Sequence, residues 1–435
     1  KTAYEIRLSL VGSEMCIRDS YFMFSLRPHQ QDAFEMMREY QKGQLIMPTG
    51  SGKTLCMIFD AMREYRSDTQ TIVVVAPRIL LSQQLSSEFL EVFGLYPEIQ
   101  PIKVLHVHSG ETEHYSTTDS TRISVWSAKN CAFNQIIFTT YHSLHRVMES
   151  EIHVDTIYFD EAHNSVQRNF IDATEHFSLV DNIRCYYFTA TPKHSSVSHR
   201  IGMDDDIVYG DVIYQLPAPD LVDSGYILPP QVVVKQLPPN HGSIPDRDCD
   251  HLYTSIVEED TNKVLVAASR TSHIIDLVEQ TDFAEIMKEL GYSLMYITSK
   301  TGAYIDGKRV DRDTFFETLS DWGRDDDKKF IVIHHSILSE GINVSGLESV
   351  IFMRNMDYIT FSQTIGRVIR LHHNDAKNIR DGKLTAGDIR SYQKPFGLLV
   401  VPVHSQVGIN TARRLQEVVD TIFVDGQPAI SVMKN

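Results

Sequence analysis

Residues Met47-Pro-Thr-Gly-Ser-Gly-Lys-Thr54 lie between two apolar segments of different period. Before them, Gln44 to Met47 reads as a short strand; after them, Leu55-Cys-Met-Ile-Phe-Asp-Ala-Met62 has helical spacing. Strand, glycine-rich turn and helix form the setting that a phosphate-binding loop requires. Gly50 and Gly52 permit backbone conformations closed to residues with a Cβ, so that successive amide groups can aim at one anion. Thr49 and Ser51 belong to the same turn. A helix beginning near Lys53 adds the positive end of its dipole. Lys53 is then expected to reach the β- and γ-phosphates of a nucleoside triphosphate, and the Thr54 hydroxyl to hold Mg²⁺. The pattern departs from the common one in opening with Met47 instead of glycine.

Thr156-Ile-Tyr-Phe-Asp-Glu-Ala-His163 is the second informative stretch. An apolar strand delivers Asp160 and Glu161 together at its carboxyl end, where parallel sheets bind ligands. Asp160 is the candidate Mg²⁺ ligand, and Glu161 the base that orients and deprotonates an attacking water. Cys185 to Thr191 is another strand followed by hydroxyls, and Thr189 and Thr191 could hydrogen-bond the Asp-Glu-Ala-His loop and pass on nucleotide state. Upstream of the phosphate loop, Pro28 opens a helix, and Arg27 and Gln30 are candidates for reading adenine, since an amide offers both donor and acceptor. Thr71 to Ala76 is a β-branched run suited to a strand buried on both faces, with a helix from Ile79 to Phe93. Residues 109–130 read as a polar surface excursion. Gln135 to Tyr141 is a strand whose last residues, Thr140 and Tyr141, either face a nucleic-acid backbone or simply end a strand.

The chain has 435 residues, 42% hydrophobic and 23% charged, as in an ordinary globular protein with room for two or three domains. Its five cysteines show no C-x-x-C spacing, so neither a disulfide framework nor a zinc site is expected, and a cytoplasmic, reducing location fits. No apolar run suits a membrane span and no secretory signal is evident. A formal charge of −16 excludes a surface that is basic throughout, though not a local basic groove. Residues 1–20, which include Ser9-Leu-Val-Gly-Ser-Glu-Met-Cys-Ile-Arg-Asp19, look like translated sequencing-adapter sequence and are set aside. The expected organisation is a first α/β domain over 21–215, a proline-rich linker over 216–250 and a second domain over 251–435. The second domain repeats the alternation of strands and helices without a phosphate loop. Strands are expected at Lys263–Ser269 (a helix being the alternative), Ser293–Thr298, Lys329–His334 and Ser349–Met353; helices at His273–Leu290 and Asp313–Trp322.

Two further groups stand in that second half. Ser339-Glu-Gly-Ile-Asn343 joins two strands; Gly341 suits a tight turn and Asn343 could meet a ribose or a phosphate. Gln363-Thr-Ile-Gly-Arg-Val-Ile-Arg370 reads as a helix with Arg367 and Arg370 three apart on one face. Such a pair is usually a solvated face. A whole domain after the phosphate loop, with Gln363 beside it, it suggests guanidiniums supplied to a triphosphate across a cleft.

Together these stretches resemble superfamily 2 helicases and translocases, in the DEAH-containing branch related to restriction-enzyme motor subunits and phage repair helicases; the likeness runs over residues 25–405. Arg27 and Gln30 match the adenine-reading motif, and Met47 to Thr54 motif I. Ala76-Pro-Arg78 is similar to motif Ia, which assigns Arg78 to nucleic acid along with Thr140 and Tyr141. Asp160 to His163 is motif II, and Thr189-Ala-Thr191 motif III, which makes His163, Thr189 and Thr191 coupling residues. Val264 to Arg270 loosely matches motif IV. Glu340 to Asn343 is similar to motif V, with Asn343 where many members carry Asp, and Gln363 to Arg370 to motif VI. The resemblance implies two tandem RecA-like doubly wound parallel-sheet domains with ATP and Mg²⁺ between them, and a nucleic-acid strand crossing both, DNA favoured over RNA. No wedge, nuclease or recognition domain is expected within the chain; an accessory or nuclease subunit is a candidate partner, and a membrane is not.

Four functional classes are consistent with these residues. They are a DNA helicase or translocase, an RNA helicase, a duplex-pumping motor of a restriction or remodelling assembly, and a non-catalytic nucleotide switch. Glu161, Lys53 and the two arginines count against the last. A P-loop kinase or GTPase would need no second unit bearing an arginine pair.

Overall fold

A computed structural model describes residues 25–237, 242–298, 301–335, 346–403 and 406–433. Two compact units result. One runs to Pro217 and takes in Pro428–Asn435; the other is Ala218–Gln427.

Before the second unit begins, the first contributes eight described strands: β1 (Lys42–Ile46), β2 (Thr71–Ala76), β3 (Ile102–Val107), β4 (Asn134–Thr140), β5 (Thr156–Phe159), β6 (Arg184–Thr189), β7 (Lys193–Ser195) and β8 (Val212–Gln215). Seven of them form a sheet in the order β3-β4-β2-β5-β6-β1-β8, every pair parallel. Side chains alternate across it as the strand period requires. Val73, Val75, Leu105, Val107, Ile137, Ile157, Phe159, Cys185 and Tyr187 share one buried cluster with Phe170 and Phe177. On the other face Tyr158 meets the helix Lys53–Ser67, donating from its hydroxyl to Asp60 Oδ2 at 2.7 Å. Asp60 is fully buried and also receives Arg184 Nη2 at 3.0 Å and Arg63 Nη2 at 2.6 Å. Burial pushes the Asp60 carboxyl up, and the two guanidiniums pull it down. The phosphate-loop helix is thus bolted to β5 and β6 by a buried charge network.

The second unit contributes β9 (Pro230–Gln236), β10 (Lys263–Ala267), β11 (Ser293–Thr298), β12 (Gly302–Ile305), β13 (Lys308–Val310), β14 (Phe330–His334), β15 (Ser349–Phe352) and β16 (Gly397–Val403). They pair in the order β13-β12-β11-β14-β10-β15-β16-β9, parallel except for the β11-β12-β13 meander. A last strand, β17 (Ser431–Met433), lies parallel to β7 in the first unit, and Met433 enters that unit's core.

Four sequence expectations need correction. The 216–250 stretch folds instead of linking: it holds the helix Ala218–Asp223, β9 and the start of the helix Ile244–Glu259. Prolines do not prevent this, because Pro230 opens a strand at the sheet's edge, where its missing N–H costs no ladder bond, and Pro245 sits in the first turn of a helix. Residues Pro428–Asn435, expected in the second domain, group with the first unit through β17. The helix expected from His273 to Leu290 breaks into Thr271–Gln280 and Phe283–Glu289. Thr281 breaks it, its hydroxyl donating to Leu277 O at 2.5 Å and accepting from Phe283 N at 3.3 Å. The surface excursion at 109–130 contains the helix Ser120–Lys129, capped by Asp119 Oδ1 accepting from Arg122 N at 3.0 Å.

Candidate nucleotide site

Three neighbouring strands bring the first unit's motifs together. β6 lies between β5 and β1, with Phe159 opposite Tyr187 and Ile46 opposite Thr189. The loops that follow β1, β5 and β6 therefore emerge side by side at one sheet end. The phosphate loop leaves β1 with Met47 N donating to Thr189 O at 2.9 Å. Gly50 and Gly52 take φ of 90° and 81°, the left-handed region that favours glycine. At Gly52 a Cβ would run into Gln30 Nε2, so the position is closed to side chains twice over. The helix Lys53–Ser67 follows at once, and Lys53 Nζ folds back to Met47 O at 3.3 Å.

Gln30 is placed against this loop. Its Nε2 donates to Ser51 O at 3.0 Å and to Gly52 O at 3.3 Å, while its Oε1 accepts from Arg27 N at 2.9 Å. His29, which the sequence reading passed over, adds a contact from Nε2 to Ser51 O at 2.9 Å. Its adjacency to Gln30 was the available signal. The Thr49 and Ser51 hydroxyls are buried with no hydrogen-bond partner. Buried polar atoms normally find a partner, so these two mark a cradle shaped for something with acceptor oxygens. The residues present fit a triphosphate.

Asp160 and Glu161 leave β5 with Asp160 N bonded to Val75 O at 2.9 Å. Burial and the neighbouring Glu161 carboxylate push the Asp160 carboxyl up, and Lys53 opposes them. Two carboxyl groups beside one ammonium form a donor set suited to a hard divalent cation such as Mg²⁺. Glu161 sits at φ 48°, ψ 54°, a left-handed conformation unusual for a residue with a side chain. Its Oε2 is buried, 3.5 Å from His163 Nδ1. Asn164 fixes the His163 tautomer. Its Oδ1 accepts from Gln167 Nε2 at 3.1 Å and its Nδ2 donates to Glu161 O at 3.0 Å, so Nδ2 also faces His163 Nε2 (3.2 Å) as a donor. The His163 proton is then on Nδ1, donated to Thr189 Oγ1 at 3.0 Å; Thr191 N donates to the same oxygen at 3.1 Å, and Thr191 Oγ1 lies 3.5 Å from Nδ1.

Two of the nucleic-acid candidates are corrected. Tyr141 is 1% exposed and Thr140 3%, so neither meets a ligand. β4 is an inner strand whose end is covered by packing: Tyr141 stacks on Phe159 and Phe170, and its hydroxyl donates to Asp160 O at 2.9 Å. Tyr141 braces the carboxylate loop from beneath. Arg78, at the N-cap of the helix Ile79–Phe93, is exposed.

In the second unit Gln363 and Arg367 lie on the helix Tyr358–Val368 and are buried. Arg370 is not on that helix, which ends two residues earlier, so the arginines do not share a helical face. Arg367 lies near the carboxyl end of β14, where burial and the charges of Arg354 and Arg367 push His334 down to about 3. Gly341 and Asn343 lie outside the described residues. One group of metal-ligand composition occurs among the described residues, Asp326 with His372 and His373. His372 Nδ1 accepts from Asn374 N at 3.3 Å, which leaves the proton on Nε2, directed at Asp326 Oδ1 3.0 Å away. A nitrogen carrying its proton is no ligand.

Residues 23–194, bearing every motif of the first unit, match the family model described as type III restriction enzyme, res subunit. The solved structure of the ATP-dependent Type ISP restriction-modification enzyme LlaBIII bound to DNA superposes with a TM-score of 0.67 at 17% identity, over 94% of this chain and 31% of that one. That of Mss116p bound to ssRNA and AMP-PNP gives 0.57 at 14% identity, over 94% of this chain and 75% of that one. This chain shares the fold of these two proteins. Among curated relatives, the replication restart protein PriA of Rickettsia conorii (strain ATCC VR-613 / Malish 7) is 24% identical over 149 residues, which are 34% of this chain and 22% of PriA. The chain thus spans only part of the length of the proteins it matches. No helix among the described residues is long and apolar enough to cross a membrane.

Proposed function

We propose that the chain is an ATP hydrolase that couples nucleotide turnover to movement along nucleic acid, with DNA the favoured track. The observation that carries this is the meeting, at the ends of β1, β5 and β6, of Lys53, the partnerless Thr49 and Ser51 hydroxyls, and the Asp160–Glu161 pair. In this reading the amides around Gly50, Ser51 and Gly52, with Lys53, bind the phosphates, and Arg27 and Gln30 stand at the base-reading edge. Thr54 and Asp160 would hold Mg²⁺, which when bound neutralises phosphate charge. Glu161 orients the attacking water and takes its proton. His163, Thr189 and Thr191 carry the nucleotide state from the carboxylate loop to the end of β6. Arg367 and Arg370 would serve as arginine fingers with Gln363 beside them, and Gly341 and Asn343 as further nucleotide contacts. Arg78 contributes to the nucleic-acid surface. Free Cys56, Cys131, Cys185 and Cys249 suit a reducing cytoplasm.

A second reading, a motor that pumps duplex without separating strands and works with a nuclease subunit, is favoured by the restriction-subunit match over residues 23–194. RNA as the track is the third. One experiment orders all of them: ATPase activity titrated with single-stranded DNA, duplex DNA and RNA of equal length. Stimulation by single-stranded DNA supports the first reading, by duplex the second, and by RNA the third. Hydrolysis unchanged by every polymer overturns all three.

A further inference from the structure

The helix that carries Arg367 ends in an unusual way. Its C-cap, Ile369, has φ −88° and ψ 6°, and no glycine follows to turn the chain. A helix end leaves its last carbonyls without intrahelical partners, and buried ones must be satisfied. Here each is. Val368 O and Arg370 O accept from Lys394 Nζ at 2.6 and 3.0 Å, and Ile369 O accepts from Leu228 N at 2.7 Å. The ammonium makes a third bond to Leu347 O at 2.6 Å. Lys394 is 7% exposed, so this is a buried cation whose three protons all go to main-chain oxygens.

The lysine is itself held. Asp375, also buried, accepts Gln393 N on Oδ1 at 2.9 Å and Lys394 N on Oδ2 at 3.1 Å. Three residues further on, Gly397 brings β16 so close to the helix end that a Cβ there would lie 2.6 Å from Val368 O. Burial and Arg370 push Lys394 down to about 7, while Glu348 and Asp375 oppose them. Burying a cation costs several kcal/mol, and a glycine turn would end a helix without that cost. The ammonium achieves what a glycine cannot: it fixes the main chain on both sides of the C-cap, next to Arg367 and at Arg370 itself.

We propose that Lys394 is a positioning residue for Arg370, its ammonium clamping Val368 to Arg370 so that the Arg370 guanidinium is presented in a fixed direction. This rests on the reading of the chain as an ATPase. Lys394→Met keeps the stem and removes the ammonium. Its kcat for nucleic-acid-stimulated hydrolysis should fall at least about 10-fold, because small displacements of a catalytic group are costly. KM for ATP should stay within about twofold, since a group that acts in the transition state lowers kcat and leaves uniform binding unchanged. On an Arg370→Ala background Lys394→Met should cause no further loss, because it acts through that arginine. Equal losses on both backgrounds, or a rise in KM with kcat unchanged, overturn the proposal. Should Lys394→Met fail to fold, Asp375→Asn loosens the same clamp from behind. A kcat loss of about threefold that disappears in Arg370→Ala supports the proposal, and no loss or a background-independent one overturns it. A parent protein that hydrolyses no ATP would instead sink the functional reading, a separate result.

Discussion

The two units hold their reactive groups by opposite means. In the first, Asp160 and Glu161 leave a strand end and Lys53 opens a helix, and the loops that carry them are braced by neutral partners: the Tyr141 hydroxyl on Asp160 O, Thr189 on His163, and Gln30 on the glycine loop. Buried charge lies further back along the loop's helix, in the Asp60–Arg184–Arg63 network. In the second, charge does the bracing at the site itself, where the Lys394 ammonium sits directly beneath Arg370. Neutral hydrogen bonds let a loop move at modest cost, whereas a desolvated cation with three acceptors resists displacement. The bracing in the first unit is thus the more easily displaced, and that in the second the less.

The largest effect should come from the reactive end of the first unit. Glu161→Gln should lower kcat by roughly 10²–10⁴-fold while ATP and nucleic-acid binding persist, as for loss of a general base. Steady-state hydrolysis alongside a binding titration checks this, and normal turnover would move water activation elsewhere. Next, Asp60→Ala should cost about 3 kcal/mol in urea denaturation by breaking a buried charge network, with Glu64 still near Arg184 to limit the loss. A loss below about 1 kcal/mol would mean that the network is not what anchors the phosphate-loop helix.

Acid should affect both units alike. Burial with neighbouring histidines holds His106 at about 3, and burial with nearby arginines does the same to His334, against about 6.5 in an unfolded chain. Below that unfolded value the denatured state takes up protons that the folded state refuses. Stability is therefore full above about pH 6.5 and falls as the pH drops toward 3. Melting temperatures recorded from neutral to acidic pH should decline through that window, and a flat profile would contradict the burial of both rings. The smallest effect belongs to Tyr141→Phe, which removes one neutral bond to Asp160 O and should cost about 1 kcal/mol. Nucleic-acid affinity should be unchanged, because the ring is in the core; a large drop would restore Tyr141 to the binding surface.

What could be read from the sequence, and what could not, follows the same division. The strand, glycine turn and helix around Gly50 and Gly52, and the strand ending in Asp160–Glu161, were legible because their residue types are dictated by local backbone: glycines at positive φ, an apolar strand before the carboxylates. Tyr141 was misjudged because whether the end of a strand faces solvent depends on what packs over it, here Phe159 and Phe170. The arginine helix was drawn too long because nothing local stops it. Its end is made by Leu228, Lys394 and Gly397, all distant in sequence. Lys394 itself carries no motif, and only the three carbonyls around it show its role. The proline-rich stretch misled in the opposite direction, since an edge strand tolerates what an inner strand does not.

β17 has a consequence for how the molecule is made. Because Met433 completes a core whose other members all precede residue 210, the second unit is in effect an insertion within the first. A nascent chain would have to finish more than two hundred further residues before the first unit's packing could close. Until then β7 offers an open edge, a ready place for a chaperone or a stray strand to pair.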